Sequence, residues 1–122
     1  MDLTGKVAMV LGASKGIGKG IGHALADAGM QLALIYFDPE DELESLQKAF
    51  SISGQEHLII QINLLEVEKI PGLIQQVVDR FGRLDILINN IERGGWPVVH
   101  GPYSKAQWDL EMETTLRAKR WV

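Results

Sequence analysis

The chain has 122 residues, of which 46% are hydrophobic and 23% are charged, a composition typical of an ordered globular domain. Its formal net charge of −4 argues against nucleic acid and against anionic membrane surfaces as partners. The absence of cysteine removes disulfides, thiolate catalysis and cysteine metal sites, and no apolar run approaches the roughly 18 residues of a membrane span. We therefore expect one cytoplasmic domain covering residues 1–122.

Four continuous apolar runs predict strands of a parallel sheet that is covered on both faces. These runs are Val7–Leu11, Leu32–Tyr36, Leu58–Ile62 and Asp85–Asn89. Because helical segments separate them, right-handed crossovers predict a Rossmann-like α/β fold, three layers deep, with strand order 3-2-1-4. The ligand crevice of such a sheet lies between the first and fourth strands, where the order reverses. Four strands make only part of a doubly wound sheet.

The first two helices are predicted from their end signals. The first should run from Gly16 to Ala28 and stop at Gly29, a usual C-terminal residue. The second should begin with Asp38 as its N-cap and Pro39 as its first helical residue. Its predicted buried side chains are Leu43, Leu46 and Phe50.

The third and fourth helices are predicted from apolar periodicity and capping. The third should start at Pro71, after a turn over residues 66–70, because proline is poorly tolerated inside a helix. Its apolar stripe comprises Ile70, Leu73, Ile74, Val77, Val78 and Phe81. The fourth should follow Ser104, which forms a capping box with Gln107. Its apolar positions Trp108, Met112 and Leu116 make one narrow seam.

A glycine-rich turn between the first strand and the first helix carries most of the chemical signal. Gly12 permits a tight turn, while Gly16 and Gly18 let a diphosphate and the neighbouring strand approach closely. Backbone N–H groups at a helix start can bind such an anion. A turn that merely links strand to helix is the alternative in a chain with 13 glycines. Gly20 and Gly22 should allow the helix to pack closely on the sheet.

Three landmarks together resemble the short-chain dehydrogenase/reductase family. They are the GxxxGxG spacing at residues 12–18, Asn63-Leu64 after the third strand, and residues 84–90 (LDILINN) at the fourth. They occur in the family's order and spacing across essentially the whole chain. The resemblance implies an NAD(P) cofactor and hydride transfer between that cofactor and a carbonyl or alcohol.

The resemblance also implies a cofactor site at the strand ends. The residues that would line the pyrophosphate and the adenosine ribose are Gly12, Ser14, Lys15, Gly16, Ile17 and Gly18. Asn63 stands where the family usually has an aspartate for the adenine amino group, and Leu64 would pack beside the adenine. Asn90 and Ile91 would lie along the adenosine and ribose. The alternative makes Asn63 and Asn90 ordinary turn formers at strand ends.

Cofactor choice rests on the end of the second strand and on the glycine turn. Tyr36 occupies the position, seven residues after Gly29, where family members that prefer NAD commonly carry an aspartate. Tyrosine neither binds the ribose hydroxyls as a carboxylate does nor repels a 2′-phosphate. Lys15 could offer its charge to that phosphate or simply be solvated, and Asp38, which is close in sequence, is expected to cap the second helix instead. The resemblance therefore favours NADP(H).

Several departures from the family pattern concern catalysis. Ile91-Glu92 stands where the family usually has Ala-Gly, and Thr115 stands at the position of its catalytic asparagine. The sequence contains no Tyr-x-x-x-Lys, the pair that transfers the proton in the family reaction. The histidines have no ligand spacing, so we assign no metal site and no catalytic residue.

These departures leave three interpretations of the chain. The first is a dinucleotide-binding half that is a truncated product, a fragment, or a chain completed by a missing C-terminal half. The second is a noncatalytic nucleotide-binding or interaction module that forms a homo-oligomer through the fourth strand or the fourth helix, because an unpaired strand edge tends to associate. The third is a fold relic that binds no ligand.

Overall fold

A computed structural model of the chain describes residues 1–37, 42–51, 54–91, 104–117, 120 and 122. Its strands are β1 (Val7–Leu11), β2 (Gln31–Tyr36), β3 (His57–Gln61) and β4 (Ile86–Asn89). Its α-helices are α1 (Gly16–Asp27), α2 (Glu42–Phe50), α3 (Ile70–Phe81) and α4 (Lys105–Glu111). A 3-10 helix at Val67–Lys69 precedes α3, and a π-helix at Met112–Arg117 follows α4. No helix among the described residues is long and apolar enough to cross a membrane.

The four strands form one parallel sheet in the order β3-β2-β1-β4, which confirms the predicted topology. All five residues of β1 are buried, and so are five of the six residues of β2, because both strands lie inside the sheet with layers on each face. The strands β3 and β4 lie at the two edges and are only partly buried. The position of each strand in the sheet therefore explains which apolar runs are fully buried in the core.

Helices cover both faces of the sheet, which confirms the three-layer prediction. On one face, side chains such as Met9 and Ile35 pack with Leu73 and Val77 of α3. On the other face, Val10 and other strand side chains pack with residues from α1 and α2. Successive strand residues point to opposite faces, so β1 and β2 supply both clusters.

Helix α1 begins at Gly16 as predicted and ends at Asp27, one residue before the predicted Ala28. The predicted buried side chains of α2 are partly confirmed. Leu46 and Phe50 are buried as expected, but Leu43 is 43% exposed, so its predicted burial is wrong; it lies in the first turn of α2, outside the cluster that holds the other two. The predicted N-cap Asp38 and first residue Pro39 lie outside the described residues.

The two helical glycines behave differently from one another. A Cβ placed on Gly22 would lie 3.0 Å from the ring of Phe50, which confirms that this glycine allows close helix packing. A Cβ on Gly20 would meet nothing within 4 Å, and Gly20 is exposed. The prediction that Gly20 serves packing is therefore wrong.

The start of α3 and the cap of α4 follow the predicted signals closely. Helix α3 begins at Ile70, one residue earlier than predicted, with proline in its first turn. The Gln107 N–H donates to Ser104 Oγ over 3.1 Å, and the Ser104 N–H donates to Gln107 Oε1 over 2.8 Å, so the capping box is confirmed. The apolar seam after this cap is exposed: Trp108 by 58% and Leu116 by 56%.

Candidate functional site

The glycine turn joins the end of β1 to the start of α1. Gly12 has φ of 70° and Gly16 has φ of 57°, the left-handed region that glycine adopts without a steric penalty. Between them the Ala13 N–H donates to Ile35 O over 2.9 Å. This bond fixes the turn to the neighbouring strand β2, so the turn has a defined position at the carboxyl end of the sheet.

Close backbone contacts require glycine at two positions of this turn. A Cβ on Gly12 would lie 2.4 Å from Asn90 O, and a Cβ on Gly18 would lie 1.9 Å from Gly12 O and 2.8 Å from Asn90 Nδ2. No side chain could be accommodated at such distances without moving the backbone. The turn and Asn90, which follows β4, therefore meet at the crevice between β1 and β4 where the strand order reverses.

The start of α1 has no side-chain cap. Lys15 is the N-cap and has an extended backbone, but its side chain does not cap the helix, and no acidic residue lies in the first turn. The first N–H groups of a helix have no partner within the helix, and they carry its positive end. Among the described residues, leaving aside its two chain neighbours, no side chain lies within 4 Å of the Cβ position of Gly16. The arrangement can bind an anion such as a phosphate.

The remaining side chains of the turn differ in exposure. Ile17 is 71% exposed, whereas Ser14 is only 7% exposed. Lys15 and Gly16 are exposed, and Gly18 is buried. The open side of the turn is therefore formed by residues 15–17, while Ser14 and Gly18 face the protein.

Asn63 and Leu64 form a separate part of the site, at the end of β3. Asn63 Oδ1 accepts the Leu65 N–H over 3.1 Å, and Asn63 O accepts the Glu66 N–H over 3.1 Å. Leu64 is 8% exposed and belongs to the core on the α3 face. Asn63 thus shapes its own turn while its amide remains half-buried at the strand end.

The end of β2 lies between these two parts. Tyr36 is 5% exposed and packs in the core with residues of α1 and α2, which leaves little of its ring for a ligand. The next residue, Phe37, is 57% exposed. The sequence singled out Tyr36 and missed Phe37, although the alternation of strand side chains between faces is a signal that one of the two must point the other way.

The last predicted cofactor residue, Ile91, is half-buried and packs against the core on the α3 face. Glu92, which follows it, lies outside the described residues. Thr115 lies in the π-helix that follows α4. The described residues contain no group of three or more histidine, cysteine, aspartate or glutamate side chains that could hold a metal ion.

A surface cavity of about 500 Å³ lies beside β3 and α3. Its lining residues are Phe37, Ile60, Gln61, Ile62, Asn63, Glu66, Lys69, Gly72 and Gln76. Glu66 forms an ion pair with Lys69 and raises the pKa of that lysine through their hydrogen bond. The cavity reaches Asn63 but not the glycine turn, so it is not the anion-binding part of the site.

Comparison with known proteins places these features in a family. The model of the short chain dehydrogenase family matches residues 6–121. The 3-oxoacyl-acyl-carrier-protein reductase FabG of Staphylococcus aureus is 35% identical over 114 residues, which cover 92% of this chain and 45% of the relative. Hydroxynaphthalene reductase arp2 of Aspergillus fumigatus is 40% identical over 90 residues, or 74% of this chain and 33% of that protein.

A solved structure gives the same result for the fold. A mutant short-chain dehydrogenase/reductase from Serratia marcescens superposes with a TM-score of 0.84 and 30% sequence identity. The match covers 99% of this chain and 49% of the other. This chain thus spans about half the length of the relatives that it matches.

Proposed function

Since this chain belongs to the short-chain dehydrogenase family, we propose that residues 1–122 form one domain that binds NAD(P)(H) for oxidoreduction of carbonyl or alcohol substrates. The observation that carries the proposal is the uncapped start of α1 on a turn where Gly12 and Gly18 leave no room for a side chain. A diphosphate needs both backbone N–H groups that no side chain caps and a turn without side chains that it can approach closely.

Different strand ends would bind different parts of the cofactor. The backbone of residues 12–18 would bind the pyrophosphate, with Ile17 covering its open side. Asn63 would offer its amide to the adenine, and Leu64, which is 8% exposed, would pack beside the adenine. Asn90 and Ile91 would lie along the adenosine and ribose, on the β4 side of the crevice. When bound, the nicotinamide supplies or accepts the hydride; residues 12–18, 63–64 and 90–91 would position the other end of the cofactor.

We expect no turnover from these 122 residues alone. They contain no Tyr-x-x-x-Lys, so no side chain is assigned to proton transfer at the substrate oxygen. The catalytic step would depend on residues of a C-terminal half such as the relatives possess. We place the protein in the cytoplasm, consistent with its lack of cysteine.

A preference for NADP(H) is supported by Lys15. Its charged side chain belongs to the exposed part of the turn, and it can interact with a 2′-phosphate as a point charge. The described residues at the end of β2, Tyr36 and Phe37, carry no carboxylate that would repel the 2′-phosphate.

Isothermal titration calorimetry with NADPH and NADH tests the proposal. We expect both to bind, NADPH more tightly, and Lys15→Ala to remove most of the difference without abolishing binding of NADH. Lys19→Ala, four residues further along α1, is the matched control. Absence of heat with either nucleotide would contradict the proposed function, and an unchanged NADPH preference in Lys15→Ala would contradict only the role of the lysine.

Self-association is a second candidate, favoured by exposed apolar side chains. Trp108, Met112 and Leu116 are between 38% and 58% exposed on the helical segment after Ser104, and Leu87 on the edge strand β4 is 36% exposed. We expect a homo-oligomer, or a complex with the C-terminal half of the family fold, that covers this surface. Light scattering should give a mass above the 13.5 kDa of one chain; a monomer at every concentration would exclude the homo-oligomer.

A further inference from the structure

Strand β3 forms one edge of the sheet, and part of its backbone points away from the sheet. Among the described residues, β3 is paired only with β2. The Ile62 N–H donates to Tyr36 O of β2 over 2.9 Å. Because the N–H and C=O groups of successive strand residues alternate in direction, those of Ile60 also point toward β2, whereas those of Ile59 and Gln61 point outward. An edge of this kind can accept another strand.

The sequence of β3 lacks the residues that usually protect an edge strand. Residues 57–61 read HLIIQ and include no proline, lysine, arginine, aspartate or glutamate, whereas protected edges commonly carry a charge or a proline. The preceding residue, Glu56, forms an ion pair with Arg80 of α3 over 3.2 Å, so its charge is balanced within the chain. The edge is therefore apolar, and its isoleucines favour strand pairing.

We propose that β3 pairs with β3 of a second copy of this chain, antiparallel and with Ile59 on the two-fold axis. Two copies related by such an axis present the same strand in opposite directions. Ile59 then lies opposite Ile59 of the second copy, and the two residues exchange a pair of backbone hydrogen bonds. The two sheets become one continuous sheet.

This register places apolar side chains opposite one another on both faces of the sheet. Ile59 packs on the face covered by α1 and α2, so the isoleucine pair would extend that core. Leu58 and Ile60 pack on the α3 face, and each would lie opposite the other residue of the second copy. An axis at His57 would instead place Glu56 opposite Leu58. The pairing closes after two copies, and it does not depend on nucleotide binding.

The pairing is tested by Gln61→Pro, with Gln61→Ala as the matched control. Proline removes the outward N–H of residue 61 and places ring atoms where the second strand would lie, but it keeps the bonds of residues 60 and 62 to β2. Light scattering should give the wild type at least twice the 13.5 kDa of one chain, and Gln61→Pro should halve the wild-type mass. Gln61→Ala also loses the side-chain bond to Phe37 O, yet it should keep the wild-type mass.

Hydrogen exchange in the wild-type chain, measured by NMR, tests the register without a substitution. The Ile59 N–H should exchange more slowly as the protein concentration rises, whereas the Ile60 N–H, which points toward β2, should exchange at one rate throughout. An Ile59 rate that does not change with concentration would overturn the proposal.

The mass measurements can also overturn the proposal. A wild-type mass of one chain would do so, and so would a wild-type mass for Gln61→Pro, because association would then use another surface. Circular dichroism checks that Gln61→Pro is folded; if it is not, the exchange of the Ile59 N–H decides. Failure to bind NADH or NADPH would contradict the proposed function and leave this pairing unaffected.

Discussion

The two ends of the parallel sheet differ in whether side chains accept hydrogen bonds from the backbone N–H groups that lie there. At the amino end, the Val7 N–H donates to Asp85 Oδ2 over 2.9 Å, and the Leu32 N–H donates to His57 Nδ1 over 3.2 Å. At the carboxyl end, the first amides of α1 receive no side-chain cap from Lys15. Backbone donors are costly to leave unpaired; side chains pair these two strand amides at the amino end, whereas no Lys15 side-chain cap covers the start of α1 at the carboxyl end.

The two ends also differ in the kind of residue that defines them. Asp85 is oriented by Arg83, whose Nε and Nη2 donate to its carboxylate over 2.8 and 2.7 Å. The carboxyl end is instead defined by missing side chains at Gly12 and Gly18. Substitutions that add atoms should therefore damage the carboxyl end most, and substitutions that remove atoms should damage the amino end most.

The largest effect is expected for Gly18→Ala. The new Cβ would lie 1.9 Å from Gly12 O, so the turn or the start of α1 must move. We expect the free energy of unfolding to fall by about 3 kcal/mol or more and nucleotide binding to be lost. Urea denaturation followed by circular dichroism measures the first effect.

Gly20→Ala, two residues further along α1, is the matched control for that variant. Its Cβ would meet nothing within 4 Å, and alanine favours a helix over glycine by about 1 kcal/mol, so this variant should be more stable than wild type. Equal stability of the two variants would show that the turn can relax around an added methyl group. The carboxyl end of the sheet would then not be more sensitive to added atoms than the amino end.

A smaller loss is expected when Asp85 is replaced by alanine. The Val7 N–H then loses its acceptor, so the urea midpoint should fall and hydrogen exchange at Val7 should accelerate. Arg83→Ala is the control: it removes an exposed ion pair but keeps the acceptor, and it should change stability less. If Arg83→Ala were the more damaging change, the ion pair and not the capped amide would hold the amino end.

The carboxylate of Asp85 should also make the stability of the protein depend on pH in acid. Hydrogen bonds from Arg83, and then from the Val7 N–H, hold the pKa of Asp85 below its ordinary value of 3.8. The stabilisation is therefore complete above pH 3.8 and is lost as the pH falls through the lowered pKa. The Asp85→Ala variant should lack this acid step in a titration of stability against pH.

Most of the fold could be predicted from sequence because continuous apolar runs and helix end signals are local properties. Strand β1 has its predicted bounds, and the Ser104 capping box forms as expected. The glycine turn could be predicted for the same reason, since strand, glycines and helix follow one another in the chain.

The remaining features depend on contacts that local patterns do not contain. Asp85 and Val7 are 78 residues apart in the chain, so no periodicity links them. Tyr36 and Phe37 are both aromatic, and only the packing of the core decides which of them is buried. Strand β3 begins at His57 and not at the first apolar residue, because His57 pairs with Leu32 of β2.

That histidine gives the smallest predicted effect, a loss of stability in mild acid. Burial lowers the pKa of His57 below its ordinary value of 6.5, so the unfolded chain takes up the proton at a higher pH than the folded chain. Stability should be complete above pH 6.5 and decline as the pH falls toward the lowered pKa. The physical reason is the burial of the ring, which disfavours its charged form.

Thermal unfolding between pH 5 and 8 measures this decline, and His57→Gln should flatten it, because a side-chain amide does not titrate. His23→Gln is the control, since His23 stacks on Phe50 at 4.3 Å while His57 meets the same ring edge-on at 5.6 Å. A decline that persists in His57→Gln would contradict the assignment of the acid sensitivity to His57. The amino end of the sheet would then depend on Asp85 alone.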